Sequence, residues 1–322
     1  MSRVVVAGSF NVDHVWHCAV LPRPGETLAG EYSTGPGGKG FNQAVAAALA
    51  GADTTFVCAL GDDDGGRLAR RLAAAHGIDL RAADSPAATG TAGIHVGDDG
   101  SNSIVIGAGA NATLRPAFVA AQGEAIAAAD VVLAQLESPA DAIVEVLRLA
   151  RASGAHTVLN PAPANAACSR ELLAVAEVLT PNETEFASLL ARHCGDPVDP
   201  ARLAAMDGEG LHRLCRTLLP RGTVVITMGA AGCFVSHRED SLHGDDRAHY
   251  RYPAAEAKVV DTTGAGDAFN GALAAFLATS PGQPFAAAVR FATRYAALST
   301  ERAGAAASMP RVDEVAARYP TV

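Results

Sequence analysis

Asp267 follows Gly264, Ala265 and Gly266 and precedes the apolar run AFNGALAAFLA in the string DTTGAGDAFNGA, residues 261–272. Three small residues in succession let backbone N–H groups converge on an anion. The apolar run reads as a helix, so those donors sit at its positive end. A carboxylate beside such an anion hole is placed to deprotonate an attacking hydroxyl. The same carboxylate also suits the first turn of any helix, so other residues must decide between the two roles.

Three more polar sites fall where apolar runs end. GSFNVDH (8–14) puts Asn11 and Asp13 after the run VVVAGS, and QLES (135–138) ends another run in Glu137. In open α/β sheets ligands bind beyond the carboxyl ends of strands. Short acids and amides gathered there suit a polyol or sugar, whose hydroxyls need acceptors and donors. An Asx-turn is the plainer reading of Asn11 and Asp13. TPNETE (180–185) gives Asn182 and Glu185 the spacing of a helix start, where a cap and early acids belong anyway. TMGAAG (227–232) could admit a phosphate to the backbone of Thr227, Gly229 and Gly232, or form a simple turn.

GPGGKG (35–40) matches G-x-G-x-x-G, but the preceding GEYST is short and polar where a dinucleotide fold needs a buried strand. It is not a Walker A loop either, because Gly40 rather than Ser or Thr follows Lys39. What remains is a set of glycines that lets a ligand approach the backbone beside a helix N-terminus. His14 and His17 of HVWHC would face opposite sides of a strand, which argues against a metal site there. DDD (62–64) lacks the spacing of a calcium loop, and neither G-x-S-x-G nor H-E-x-x-H occurs.

The elements that must position these residues are legible as two periodicities. VVVAGS (4–9), TTFVCAL (54–60), DVVLAQL (130–136), HTVLN (156–160), EVLT (177–180) and TVVIT (223–227) read as buried strands. Residues 41–52, 65–77, 139–154 and 182–193 carry apolar residues at helical spacing, and Gly51, Gly77 and Gly154 supply stops. Such alternation argues a mostly parallel sheet with helices on both faces. Two stretches, about 14–36 and 89–108, break the rhythm with short runs bounded by Pro, Gly, Asp and Asn; they read as a small β-rich unit inserted into a single domain spanning 1–322. HCGDPVDPARLAAMDGEG (193–210) reads as a surface loop with a short helix in its middle.

The bulk numbers narrow the class. The formal net charge is -9 and the pI near 5.5, which disfavours a nucleic-acid binder. The six cysteines form no C-x-x-C pair, as in a cytoplasmic enzyme with reduced thiols. No apolar run reaches the roughly 18 residues of a membrane span. No signal peptide is read at the N-terminus, where the apolar run is too short.

Taken together, GGKGFNQA (37–44) and DTTGAGDAFNGA resemble the two signatures of the ribokinase-like carbohydrate kinases. GSFNVDH, LPRPGET, GAGAN, QLESP, LNPAPA and TPNETE extend the likeness over nearly the whole chain. The resemblance implies a three-layer α/β sandwich with a mostly parallel central sheet and a small β-rich lid. It implies ATP-dependent phosphorylation of D-ribose at O5, with a kinase of 2-deoxyribose or of a nucleoside as the alternative and a non-catalytic sugar sensor as the rival of another class. By resemblance Asn11, Asp13, Gly38, Lys39, Gly40, Asn42 and Glu137 would line the sugar pocket. Asn182, Glu185, Thr227, Gly229, Gly232, Gly266 and Thr293 would hold ATP and its magnesium ion, with Glu185 acting through the metal's water shell. Asp267 would be the base beside the anion hole of Gly264, Ala265 and Gly266. Asp261, Thr263, Ser299, Arg302, Gly304 and Ser308 would surround a potassium ion, several through backbone oxygens. The lid would pair with that of a second subunit in a homodimer. Phe41 stands where the family commonly has Ala, and Thr293 where an Asn or His often touches the nucleotide.

Overall fold

Val, Ile and Leu in uninterrupted runs cannot alternate inside and outside, so they form strands covered on both faces. The computed structural model describes residues 2–320. Its strands are β1 (Arg3–Ala7), β2 (Asn11–Cys18), β3 (Glu31–Gly37), β4 (Asp53–Gly61), β5 (Asp79–Ser85), β6 (Gly90–Gly97), β7 (Asn102–Gly107), β8 (Val131–Ala134), β9 (His156–Leu159), β10 (Val178–Leu179), β11 (Thr223–Thr227), β12 (Cys233–Ser236) and β13 (His249–Tyr252). Nine of them form one sheet in the order β13-β12-β11-β10-β9-β8-β1-β4-β5. The pairs from β5 to β11 are parallel, and β12 and β13 add an antiparallel edge.

Alternate residues of β1 feed the two cores: Val4 and Val6 face one, Val5 and Ala7 the other. The first core is covered by helices Lys39–Leu49, Asp64–Ala75, Ala265–Thr279 and Phe285–Ser299, and the second by Ala140–Ser153, Glu183–Cys194 and Gly208–Leu218. Helices Lys39–Leu49 and Ala265–Thr279 touch closely because Gly271 has no side chain. A Cβ there would stand 2.5 Å from both the Ala46 Cβ and the Gln43 carbonyl oxygen. That contact lies one turn beyond Asp267 and sets the distance between the two helices at the site.

The remaining strands make a separate sheet in the order β3-β2-β6-β7. It begins at Asn11 rather than near residue 14, so Asn11 and Asp13 lie on one of its central strands. The segment 193–210, read as a surface loop with a short helix in its middle, has that form, and its last residues open a longer helix. It holds helix Pro200–Leu203, and Asp207 caps helix Gly208–Leu218 by accepting from the Gly210 amide at 2.7 Å. Strands β5, β12 and β13 were not legible as apolar runs. The sequences of β5 (DLRAADS) and β13 (HYRY) are partly polar because they form the two edges. No helix among the described residues is long and apolar enough to cross a membrane.

Candidate active site

The chain winds from β1 outward to β4 and β5, then crosses to β8 and proceeds the other way to β11. The direction changes between β1 and β8, the place where such sheets open a crevice beyond their carboxyl ends. Ser9 follows β1 and Glu137 follows β8, and the Ser9 hydroxyl donates to Glu137 Oε2 across that gap at 2.6 Å. The Lys39 amide donates to the same oxygen at 3.0 Å, which brings the start of its helix onto the switch point. This approach depends on two glycines. Gly38 has φ 86°, and a Cβ there would lie 2.8 Å from the Asn11 amide nitrogen; one at Gly40 would lie 2.5 Å from that of Ser9. Asn11 is buried, and its Oδ1 accepts from Asn111 Nδ2 at 2.8 Å. Asn111 also spans the Phe10 backbone, donating to its carbonyl and accepting from its amide.

Asp267 lies in the first turn of helix Ala265–Thr279, buried, with both carboxylate oxygens engaged. Asn42 Nδ2 donates to Oδ2 and Gln43 Nε2 to Oδ1, each at 2.9 Å. Gly264 caps the helix with φ 75°, and Ala268 takes its carbonyl. The amides of 265–267 therefore precede the first amide that donates within the helix, that of Ala268. That of Ala265 reaches the Thr262 carbonyl at 3.2 Å. A Cβ at Gly266 would meet nothing within 4 Å, so the space in front of this turn is open.

Three carboxyl groups, Asp267, Glu137 and Glu185, act on the Lys39 ammonium, and a fourth, Asp13, acts on the first two. Burial pushes Asp13 up to about 7, helped by the charges of Glu137 and Asp267. Burial also raises Asp267; Lys39, Asn42 and Gln43 oppose it without cancelling it. Glu185 is raised by burial against the opposing Asn182 amide and Lys39 charge. For Lys39 burial works to lower the pKa, but Asp267, Glu137 and Glu185 outweigh it and hold it above its ordinary value. Lys39 thus stays charged among Asp267, Glu137 and Glu185.

On the far side, Asn182 caps helix Glu183–Cys194. Its Oδ1 accepts from the Glu185 amide at 2.8 Å, and Glu185 Oε2 accepts from the Asn182 amide at 2.9 Å. Asn182 forms a parallel bridge with Thr227 at the end of β11. Gly229 and Gly232 follow with φ 51° and 85°, and a Cβ at Gly232 would strike the Tyr252 carbonyl oxygen at 2.0 Å. Thr293 is buried in helix Phe285–Ser299 and returns its hydroxyl to the Val289 carbonyl at 2.8 Å.

Asp261 joins the two loops singled out for a monovalent cation. Its Oδ1 accepts from the Thr263 amide at 2.9 Å and its Oδ2 from the Gly304 amide at 2.8 Å. Burial alone would raise its pKa, but these amides outweigh burial and lower it. The Val260 and Asp261 amides both donate to the Thr300 carbonyl. Ser299 and Ser308 are buried and bond to carbonyls of their own turns, while the Arg302 side chain points away to pair with Glu314. Gly264 touches this loop directly, since a Cβ on it would lie 2.9 Å from Ala305 Cα.

Residues 1–312 match the pfkB family carbohydrate kinases. The chain belongs to that family. A ribokinase of Haemophilus influenzae is 36% identical over 97% of this chain and 96% of its own length. A bifunctional ribokinase/ribose-5-phosphate isomerase A of Fructilactobacillus sanfranciscensis is 38% identical over 96% of this chain, which spans 55% of that longer protein. The solved Arabidopsis thaliana ribokinase, complexed with ribose and ATP, superposes with a TM-score of 0.83 at 29% identity, covering 98% of this chain and 97% of that one.

In this pfkB-family chain several site residues escaped the sequence reading. Ser9, Gln43, Asn111 and Asn160 carry hydrogen bonds that hold the acids and the segment after β1. Ser9 and Gln43 lie inside GSFNVDH and GGKGFNQA, and Asn111 and Asn160 inside GAGAN and LNPAPA, so each stood in a motif without a role of its own. Asn111 reaches the end of β1 from a hundred residues away, a partnership that no local pattern shows. Phe41 proves to be a core residue. It is 1% exposed and packs edge-on against Phe10 at 5.1 Å between centroids, pointing away from the pocket beside Asn42.

Proposed function

We propose that this chain transfers the γ-phosphoryl group of ATP to O5 of D-ribose. One observation carries the reading. A buried carboxylate, Asp267, is held by Asn42 and Gln43 at the open N-terminus of a small-residue helix, beside the hydroxyl acceptors Asp13 and Glu137. The near-full-length similarity to ribokinases supports ribose as the sugar.

Asn11, Asp13, Gly38, Lys39, Gly40, Asn42 and Glu137 form the sugar pocket in this reading. Asp267 accepts the proton of the 5-hydroxyl as its oxygen bonds to the γ-phosphorus; the bond from phosphorus to the bridging oxygen breaks and ADP leaves. In this reading the turn of Gly264, Ala265 and Gly266 faces the charge on the transferring group, with the Gly266 amide left to donate while that of Ala265 bonds the Thr262 carbonyl, and Lys39 supplies a cation on the same side. Phosphoryl transfer depends mainly on such positioning and charge stabilisation. The nucleotide lies along Asn182, Thr227, Gly229 and Gly232 and towards Thr293, where glycines leave the backbone bare. Glu185, a buried carboxylate, is the residue that would hold a magnesium ion, which would supply charge neutralisation for the triphosphate.

A potassium ion would lie between Asp261 and the 299–308 loop in this reading. Its donors would be the one carboxylate and backbone oxygens, a weakly charged set that suits a large monovalent cation better than magnesium. A homodimer through the lid is supported by β7, every residue of which is exposed, with Val105 71% exposed on an unpaired edge. Six free cysteines support a cytoplasmic location.

The test is ADP release with ribose, 2-deoxyribose, fructose, adenosine and uridine in turn. Ribose should give the highest kcat/KM, with ribose 5-phosphate as product. A higher value with 2-deoxyribose or a nucleoside would reassign the substrate, and no turnover with any sugar would leave a sensor.

A further inference from the structure

We propose that Gln43 is a positioning residue for phosphoryl transfer: a buried amide, locked in one orientation, that holds the Asp267 carboxylate ionised and aimed. The inference rests on Asp267 being the base. Gln43 has no exposed surface. Its Nε2 carries two hydrogens, and both are used, towards Asp267 Oδ1 at 2.9 Å and Asn160 Oδ1 at 3.2 Å. Its Oε1 accepts from Gln135 Nε2 at 2.5 Å.

The orientation of this amide follows from a fixed point outside it. Asn160 Nδ2 donates to the Thr180 carbonyl at 2.9 Å, and a backbone carbonyl can only accept. That turns Asn160 Oδ1 towards Gln43, so Gln43 must present its NH2 group there and hence to Asp267 as well. The flipped amide would set Gln43 Oε1 against two acceptors and its NH2 against the NH2 of Gln135. The chain is braced at its other end too. Gly8 lets the Gln135 side chain lie against the end of β1, where a Cβ would stand 1.9 Å from Gln135 Oε1. Three strand ends, those of β1, β8 and β9, thereby fix one donor on the helix that faces Asp267.

Asn42 binds the other oxygen of Asp267, but its role differs. Its Oδ1 is buried without a partner and adjoins the sugar pocket, so Asn42 is free to exchange bonds when a sugar enters. Gln43 has no atom left to offer a ligand and stays where it is. The groups acting on Asp267 are then Lys39, Asn42 and Gln43, which favour its charge, and Glu137, Asp13 and Glu185, which oppose it. Gln43 is the one of the favouring set that does not also serve a substrate in the proposed reaction.

The test is the pH profile of kcat/KM for Gln43→Leu, Gln135→Met and Asp267→Asn. Gln43→Leu should lower kcat at neutral pH by about tenfold or more, change the ribose KM little, and move the acid limb up by at least about half a pH unit. Gln135→Met should do the same more weakly, and serves alone if the Leu variant does not fold. Adding either substitution to Asp267→Asn should cost no further activity, since the two residues act as a unit. An unmoved acid limb, or an equal loss in the Asp267→Asn background, would overturn the role of Gln43. Wild-type turnover in Asp267→Asn alone would instead overturn the reading on which it rests.

Discussion

Asp13 shows what the site costs while no sugar is bound. Its pKa of about 7 in the fold stands above the ordinary 3.8, because burial and the neighbouring acids disfavour its charge. The folded chain therefore keeps a proton that the unfolded chain has already released. Stability from this group is full below the ordinary value and falls as pH rises through about 7. Asp13→Asn should thus raise the melting temperature of the ligand-free protein near about pH 8 and not near about pH 4. Calorimetry should show weaker ribose binding, by roughly 1.5–3 kcal/mol for each charged hydrogen bond lost, with ATP affinity unchanged. A melting difference that ignores pH would show that this carboxylate is not held as described. At this scale Asp13 and Glu137 were legible as acids placed where apolar runs end, and Asp267 as an acid behind three small residues where an apolar run begins. Gln43, Asn111 and Asn160 were not, because an amide is ordinary in any helix or loop and its meaning lies in partners distant along the chain.

Among the elements, the junction of residues 261–266 with the 299–308 loop is where a bound cation would be linked to the chemistry. Asp261 ties the loops through the Thr263 and Gly304 amides, and Gly264 rests against Ala305 with no room for a side chain. A cation bound there would fix the turn that aims residues 264–266, so its effect should appear in kcat through preorganisation. Turnover at fixed ionic strength should be faster in potassium than in sodium or a bulky organic cation, and Asp261→Ala should abolish the difference. Equal rates in all three salts for the native chain would contradict the assignment. The elements read most easily from sequence were those with a single environment. The buried runs gave β1, β4, β8, β9, β10 and β11, whereas β5 and β13 carry the mixed residues of an edge and showed no clean period. The helix-to-helix contact at Gly271, which sets the spacing of Gln43 and Asp267, was hidden because it depends on which helices become neighbours.

The whole molecule sets a lid with an open apolar edge over a switch-point crevice. Ile104, Val105 and Ile106 are about half exposed or more along β7, which pairs on one side only. In the proposed dimer that strand meets its counterpart, so Val105→Lys should yield monomers in sedimentation velocity at concentrations where the native chain is dimeric. A native chain that sediments as a monomer would remove the lid contact from the account. The α/β class and the inserted β unit were legible because apolar runs and turn residues alternate differently in the two. The start of the lid at Asn11 was not, since β2 continues from β1 with only a short break. All these features converge on one carboxylate, and one substitution tests it most directly. Asp267→Asn keeps the size of the side chain and removes the base. With ribose and ATP the account predicts kcat lower by at least about a hundredfold, while ribose still binds in a calorimeter; near-native turnover in that variant would contradict it.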